Sequence, residues 1–309
     1  MMNVKIYCPD IECDSCVKVI RKTFEKLNGI EKIDVNHDSI DISFKKDVLG
    51  QDELLGAIRN KGYRASLEPF QRKTFRERLR DFRENKNKYE VEYTMIRYSV
   101  FTFIILFAFE ALIYFAIFKQ NPNFLPKYGW WIFYLDLAII SVGAAMWHLK
   151  SYRGQVTSMV GMMIGMTFGM QTGLMIGAII GATNGIYVGG MTGMICGVLV
   201  GLYNGKCCGI MGALEGMMAG MMNGIMGGMI GVMFFADHIL WFMPFFITIN
   251  LAIMWGLSYM LYEEFVEGNQ KTKKVPLSFG TFLLYCLAAV IILMIIMIYG
   301  PKSGLARVY

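Results

Sequence analysis

Charged side chains are scarce in this sequence, above all in its middle third. Asp, Glu, Lys and Arg make up only 17% of the 309 residues, whereas 55% are hydrophobic. Between Arg153 and Asp237 the charged residues are Lys206 and Glu215 alone. A chain with so little charge lies outside the composition of soluble globular proteins. We therefore expect an integral membrane protein embedded in a lipid bilayer.

Motifs through which ATP drives transport are also missing. The sequence contains no phosphorylation motif of a P-type ATPase, no Walker loop and no Cys-Pro-Cys in an apolar run. ATP therefore has no means of driving this chain directly. We expect neither an enzyme nor a primary pump.

Glycine and methionine, by contrast, are abundant, with 33 and 25 residues. From Gly161 to Gly209 a glycine occupies every fourth position, and after a slip of one residue a second register runs from Gly212 to Gly228. Positions four apart form a ridge along an α-helix, and glycine on that ridge lets a neighbouring backbone approach closely in lipid. The first register is far longer than the ~20 residues that span a bilayer, so we expect it to fold back at residues 183–185 and 204–206.

Apolar runs predict seven membrane spans, which gives an α-helical polytopic protein. We place the spans near residues 94–118, 129–148, 156–182, 186–204, 209–235, 239–262 and 277–299. The expected organisation is a domain at 1–68, a basic linker at 69–93, a membrane domain at 94–300 with a Gly/Met-rich core at 156–235, and a tail at 301–309.

The linker concentrates positive charge beside the first span. Such a block is typical of the cytoplasmic side of a membrane, and we favour this interpretation over a nucleic-acid patch. With the block inside, Lys150, Lys206 and Lys273 fall on the same side. We expect a cytoplasmic amino terminus and a carboxyl terminus outside the plasma membrane. The basic residues are Arg72, Lys73, Arg76, Arg78, Arg80, Arg83, Lys86 and Lys88.

Residues 1–68 have the pattern of a small α+β domain. Alternation of apolar and polar residues at 40–44 predicts a half-buried strand, and Val17, Ile20 and Phe24 form an apolar helical stripe. The predicted order is βαββαβ, a ferredoxin-like arrangement. Its elements are strands near 4–7, 30–35 and 39–44, helices at 16–28 and 51–61, and a short last strand.

Cys13 and Cys16 form a CxxC between the first strand and the first helix of this domain. Two thiolates at a helix amino terminus can hold a soft ion, because sulfur ligands select Cu(I), Zn(II) or heavier ions. A redox pair or half of a structural zinc site is less compatible with the ferredoxin-like order. Cys8 lies upstream and is either a third ligand or a buried thiol.

At these residues the domain resembles the heavy-metal-associated (HMA) domains of copper chaperones, mercury-binding proteins and metal-transporting P-type ATPases. The resemblance covers residues 2–68 and rests on IECDSC at 11–16 and AIRNKGY at 57–63. It implies metal capture by Cys13 and Cys16, with Tyr63 near the site. Residues 10–12 depart from the family's Gly-Met-Thr, and Glu12 resembles zinc-exporting members. A carboxylate suits Zn(II) better than Cu(I), so the metal stays open.

Methionines recur at helical spacing in the Gly/Met-rich core. Uncharged thioethers suit Cu(I) or Ag(I), and a ladder of weak sites would let an ion enter and leave. Methionine is also flexible filler between close helices, which is the alternative interpretation. The pairing with GxxxG is similar in composition, and in composition alone, to Ctr-type copper importers. The residues that we single out are Met163, Met170, Met211, Met218, Met222 and Met226.

Cys207, Cys208 and Glu215 stand at the start of the fifth span. The two thiols are a candidate hand-over point for an ion from the CxxC domain, or else a palmitoylation site or idle thiols. Vicinal cysteines are also found in mercuric transport proteins, so Hg(II) stays open. Glu215 has Met211 and Met218 on its own helix face, and an intramembrane carboxylate is a functional candidate by default.

Glu110 and Asp136 are the other acidic residues within predicted spans. If the first two spans are antiparallel, the two carboxyl groups lie at a similar depth and can pair through one proton. Structural hydrogen bonding between the helices is the alternative.

These features lead us to expect membrane transport of a soft metal ion, Cu(I) first, through a Met-lined path with hand-over to or from the CxxC domain. Import is favoured, because a membrane potential of 100 mV is worth about 2.3 kcal/mol per inward-moving charge. Alternatives are a proton-coupled exporter, a Zn(II) or Hg(II) carrier, and a membrane-tethered metallochaperone or sensor. Expected partners are the metal ion, a second copy of the chain and a cytosolic metallochaperone.

Overall fold

A computed structural model describes most of the chain, which divides into two compact units, Met1–Asn85 and Lys86–Tyr309. The described residues are 2–9, 11, 14–25, 27, 29–36, 39–44, 50–61, 63, 65–68, 80, 89–119, 123–153, 158–234, 238–263, 273–274 and 278–304. Most of the basic linker therefore lies outside the described residues.

Among residues 2–68 that the structure describes, the first unit contains a three-stranded antiparallel sheet and two helices. The strand order is β1-β3-β2, so β3 is central and pairs with both neighbours. The predicted last strand is reduced to one antiparallel bridge, Tyr7 with Ser66. The elements are β1 Met2–Tyr7, α1 Asp14–Phe24, β2 Ile30–Val35, β3 Ser39–Phe44 and α2 Gln51–Arg59.

The core of this unit follows the sequence periodicity. Alternate residues of β3, Ile40, Ile42 and Phe44, are buried against Ile20 and Phe24 of α1. Side chains alternate across a strand and recur every three to four residues on a helix, so one apolar stripe from each element meets in the core. The α+β interpretation of the amino-terminal domain is confirmed.

The second unit contains seven helices that are long and apolar enough to cross a membrane, among the residues that the structure describes. This confirms the predicted fold class, and the bounds lie within a few residues of those expected. The helices are α3 Glu90–Ile113, which continues as a π-helical turn Tyr114–Phe118, α4 Phe124–Ser151, α5 Ser158–Asn184, α6 Ile186–Gly205, α7 Gly209–Met233, α8 Ile239–Tyr262 and α9 Phe279–Tyr299.

Helices α5, α6 and α7 form a tight bundle, here called the glycine bundle. Its glycines meet backbone to backbone: a Cβ on Gly169 would lie 2.3 Å from the carbonyl oxygen of Gly216, and one on Gly224 would lie 2.1 Å from the amide nitrogen of Met194. Two positive-φ glycines, Gly185 (109°) and Gly209 (76°), lie at its turns. The first turn is at the expected position, 183–185, whereas the second, Lys206–Cys208, begins at the last residue of the expected 204–206. Glycine is favoured at both turns because L side chains rarely adopt a positive φ.

Helices α4, α8 and α9 supply side-chain packing around α5. Phe168, Met175 and Ile179 of α5 are fully buried in a core shared with α4, α8 and α9. The face of α5 that is rich in large side chains thus contacts these helices, whereas its glycine face contacts α6 and α7. A short strand pair joins Tyr152–Arg153 to Lys273–Lys274 beyond the ends of the spans.

The segment after α9 is fixed to the turn between α5 and α6. Lys302 donates to the side-chain oxygen of Asn184 (3.0 Å) and to the carbonyl of Met297, and its ammonium lies over the Tyr128 ring. The amide of Ser303 donates to the carbonyl of Asn184 at 2.9 Å. Buried polar groups at two helix ends are satisfied in this way.

Candidate metal site and buried polar clusters

The candidate metal loop of the first unit lies between β1 and α1. Cys16 is in the first turn of α1, half-buried at the edge of the domain core. Free N–H groups and the positive end of the helix dipole meet at this turn, which favours a negatively charged ligand such as a thiolate. Cys13, together with Glu12, lies outside the described residues.

The strand that leads into this loop is anchored at its end. The amide of Tyr7 donates to the carbonyl of Ser66 at 2.8 Å, and the guanidinium of Arg59 donates twice to the carbonyl of Ala65, at 3.2 and 2.8 Å. Tyr63 packs half-buried against the same core as Cys16. The end of β1, which leads into the loop, is therefore held to residues 65–66, and these are held to the end of α2.

Cys8 is fully buried in the core of this domain. Burial is compatible with the buried-thiol interpretation, and the role of a third ligand stays open. Cys8 also precedes a tight turn, in which the amide of Ile11 donates to the carbonyl of Cys8 at 3.5 Å.

The fold and loop define a class: a small metal-binding α+β domain in one chain with a multi-span helical membrane part. Residues 6–64 match the heavy-metal-associated domain family, and the amino-terminal part of this chain is an HMA domain. A curated relative, "Heavy metal-associated isoprenylated plant protein 31" of Arabidopsis thaliana, is 32% identical over 69 residues. The match covers 22% of this chain and 49% of that protein, so the chain spans about half the length of this relative. No solved structure matches the chain.

The methionines singled out from the sequence are exposed on α5 and α7. On α7 an exposed stripe runs along one side of the helix, here called the methionine face, and Met222 keeps 64% of its surface exposed. Met163 and Met170 of α5 are exposed as well. Because the glycine stripes take up the helix contacts, these thioethers do not lie between the helices of one chain, and a Met-lined path stays a prediction. The methionine face consists of Met211, Met218, Met222, Met226, Met229 and Met233.

The candidate hand-over residues lie where α7 begins. Cys207 is exposed in the 3-10 turn Lys206–Cys208 that joins α6 to α7, and Glu215 is half-buried on α7 itself. The side chain of Cys208 is not among those described. Within the described part of the chain, no group of three or more His, Cys, Asp or Glu side chains is arranged to hold a metal ion.

Glu110 of α3 and Asp136 of α4 lie side by side, as the antiparallel arrangement predicts. Their carboxyl groups are in hydrogen-bonding contact, and Asp136 keeps only 1% of its surface exposed. One oxygen of each group, Oε1 of Glu110 and Oδ1 of Asp136, is buried without a partner. Cys286 of α9 is buried and lies within electrostatic range of the Asp136 carboxyl group.

A second polar cluster joins the beginning of α3 to the end of α4. The carboxylate of Glu92 accepts from the Tyr152 hydroxyl at 2.6 Å and contacts Nε2 of His148 at 3.4 Å. Burial and the neighbouring Glu92 carboxylate raise the pKa of Tyr152 above its ordinary value. Nδ1 of His148 and Oε2 of Glu92 are buried without a partner.

Sequence reasoning missed Glu92 and Tyr152. A helical periodicity contained the signal, because Glu92 and Glu110 are 18 residues apart, which is about five turns, and so share one face of α3. That face contacts α4, where His148 lies against Glu92 and Asp136 lies against Glu110.

Proposed function

We propose that this chain moves a soft metal ion across a membrane and that its HMA domain binds the ion at Cys13 and Cys16. The observation that carries the proposal is the presence of an HMA domain and seven candidate spans in the same chain. A metal-binding domain alone needs no spans, and a helical membrane anchor alone needs fewer than seven.

Cu(I) is the first choice of metal. Two thiolates suit Cu(I) and Ag(I), and the exposed thioethers of the membrane part are soft, uncharged ligands of the same preference. Glu12 supports Zn(II) as the alternative, and the adjacent Cys207 and Cys208 support Hg(II). The ion is cargo, so no resident cofactor and no catalytic activity are part of the proposal.

The route that we propose runs along the methionine face, between copies of the chain. The glycine bundle leaves no room for an ion within one chain, since its backbones are in direct contact. The thioethers of Met211, Met218, Met222 and Met226 point away from it and would line a path only where a second copy covers them. Met163 and Met170 of α5 extend the same kind of surface.

At one end of this face, Cys207, Cys208 and Glu215 would exchange the ion with the HMA domain or with a cytosolic metallochaperone. Import is the favoured direction, because a cation follows an inside-negative potential and a thiolate trap removes it on arrival. Export would require exchange for protons.

A membrane-tethered metallochaperone or sensor is the second candidate. The observation in its favour is the same outward direction of the methionines, which a lipid-facing surface also explains. In that case the HMA domain binds metal for a partner and the spans carry no ion.

Flux through reconstituted vesicles separates the two candidates. We expect vesicles containing the full chain to accumulate Cu(I), and the joint substitution of Met218, Met222 and Met226 by Leu to reduce the rate at least tenfold. Leucine conserves volume, so folding should be retained. The matched control replaces Met243 and Met254, which are buried on α8, by Leu and should keep the flux.

Absence of flux in the unsubstituted chain would reject transport in favour of the tether. Equal flux in the two Met→Leu variants would reject the route along the methionine face. Competition of Cu(I) and Zn(II) for the full chain, with C13S/C16S as the blank, identifies the metal. A fall in cellular copper on loss of the protein would indicate import, and a rise would indicate export.

A further inference from the structure

We propose that Glu110 and Asp136 form a proton-binding site within the membrane-spanning part, in which the two carboxyl groups share one proton. The site joins two antiparallel spans, α3 and α4, and Asp136 is almost wholly buried. Its coupling to metal movement rests on the proposed function, whereas the binding of the proton does not.

The contact between the two groups requires the proton. An ionised carboxylate has only acceptors, so a hydrogen bond between two carboxyl groups forms only when one of them is protonated. Two bare charges about 4 Å apart would repel by roughly 4 kcal/mol even at an effective dielectric constant of 20, before the cost of burial is added. One shared proton removes this repulsion.

The surroundings of the pair supply no other positive charge. Helices α5, α8 and α9 carry no Asp, Glu, Lys or Arg along their lengths. The titratable group that meets the pair from α9 is the Cys286 thiol. No described Lys, Arg or His forms an ion pair with either carboxyl group. A cation therefore has to come from outside the protein.

That cation is a proton rather than a metal ion. Two carboxyl groups and a neighbouring thiol do not amount to a metal-binding arrangement of three groups in the part of the chain that the structure describes. A proton needs only the two oxygens that are already in contact.

The pair is built for exchange and not only for holding two helices together. Each carboxyl group keeps one buried oxygen without a partner, Oε1 of Glu110 and Oδ1 of Asp136. An unsatisfied buried acceptor costs about 1–3 kcal/mol, so each of these oxygens favours the approach of a proton donor. The free oxygens can receive a proton delivered by water when the helices separate slightly.

Infrared spectra of the full chain in lipid nanodiscs test the site directly. We expect the unsubstituted protein to keep the carbonyl band of a protonated carboxylic acid at neutral pH, and E110Q and D136N each to lose it. The matched control is E90Q, an exposed carboxylate on the same helix, which should keep the band. Persistence of the band in both pair variants would overturn the proposal.

Two further measurements keep the test decisive. If E110Q fails to fold, E110D retains the carboxyl group with a shorter side chain and should shift the band rather than abolish it; an unshifted band would count against the shared proton.

In vesicles, a pH gradient should change Cu(I) flux at least tenfold in the unsubstituted chain and have no effect on D136N. Loss of all flux would reject the proposed function while leaving the infrared result standing. Flux in the unsubstituted chain that ignores the gradient would reject the coupling.

Discussion

Glu92 illustrates how a single buried carboxylate organises the junction of two spans. Its oxygen Oε1 contacts both the His148 ring, in the last turn of α4, and the Tyr152 hydroxyl, on the residue just beyond that helix. Hydrogen bonds to a charged acceptor are shorter and stronger than neutral ones. The cluster therefore fixes where α4 ends relative to the start of α3.

Replacement of Tyr152 by Phe should weaken this junction. The change removes the donor that lies 2.6 Å from Glu92 and leaves the carboxylate under-satisfied, at a cost of about 1–3 kcal/mol. Thermal unfolding in detergent should show a lower midpoint for Y152F. The control is Y187F, because the Tyr187 side chain is exposed and its substitution should leave the midpoint unchanged. Equal midpoints for both variants would count against the cluster.

Lys302 makes stability depend on pH in the alkaline range. Burial and the nearby Lys127 lower the pKa of Lys302 to about 8 from its ordinary value of 10.5. Between these two values the unfolded chain binds more protons than the folded chain, so stability should rise as pH increases from about 8 to 10.5. Below pH 8 both states hold the proton and this contribution is constant.

The rise should be smaller in K302M than in K206M, a control in which an exposed lysine is removed. Unfolding midpoints measured in detergent across this window give the comparison. An identical pH profile for K302M and the unsubstituted chain would exclude Lys302 as the titrating group.

At the scale of elements, the glycine bundle has positions that admit no side chain and others that do. A Cβ at Gly224 would meet the backbone of Met194 at 2.1 Å, whereas a Cβ at Gly190 would have an ordinary contact of 3.7 Å with Ile225. Both glycines are buried in the same bundle. The difference between them is therefore space and not burial.

G224A should destabilise the protein and G190A should not. Backbone atoms cannot rotate away, so the overpacking at Gly224 costs about 1–3 kcal/mol or more. At Gly190 the substitution gains up to ~1 kcal/mol of helix propensity. The monodisperse fraction in size-exclusion chromatography and the unfolding midpoint should both fall for G224A alone. A parallel fall for G190A would show that the bundle rejects any Cβ.

The same elements show what sequence reasoning reaches. Span bounds followed from hydropathy and charge, and the partnership of Glu110 with Asp136 followed from antiparallel spans, because both arguments use only distance along the helix. The sequence did not predict which way the methionine face points. Gly and Met both recur at helical spacing, and the period alone does not say which stripe faces the neighbour. Backbone contact between Gly220 and Gly197 decides it.

Side-chain contacts between residues far apart in the chain could not be predicted from the sequence either. Glu92 and His148 lie 56 positions apart, and no sequence pattern links residues at that separation. The last strand of the HMA domain was predicted to be short, and among the described residues it is represented by a single bridge at Ser66.

At the scale of the whole molecule, the two ends of the membrane part would lie on opposite sides if all seven candidate spans cross the membrane. The positive block beside the first span predicts that the amino terminus is cytoplasmic. In a cysteine-free chain, a membrane-impermeant thiol reagent should label G304C in intact cells, and K206C only after permeabilisation. The reverse pattern would show that the molecule is inserted the other way round.

The backbone contacts of the glycine bundle set a rule for any relative movement of its helices. Gly165, Gly169 and Gly173 of α5 lie in turn against Gly212, Gly216 and Gly220 of α7, so a good fit recurs only once per four residues. Four residues correspond to a rise of about 6 Å along a helix. If α7 shifts along α5 while the two helices remain in contact, it must therefore move in discrete steps of four residues and not continuously.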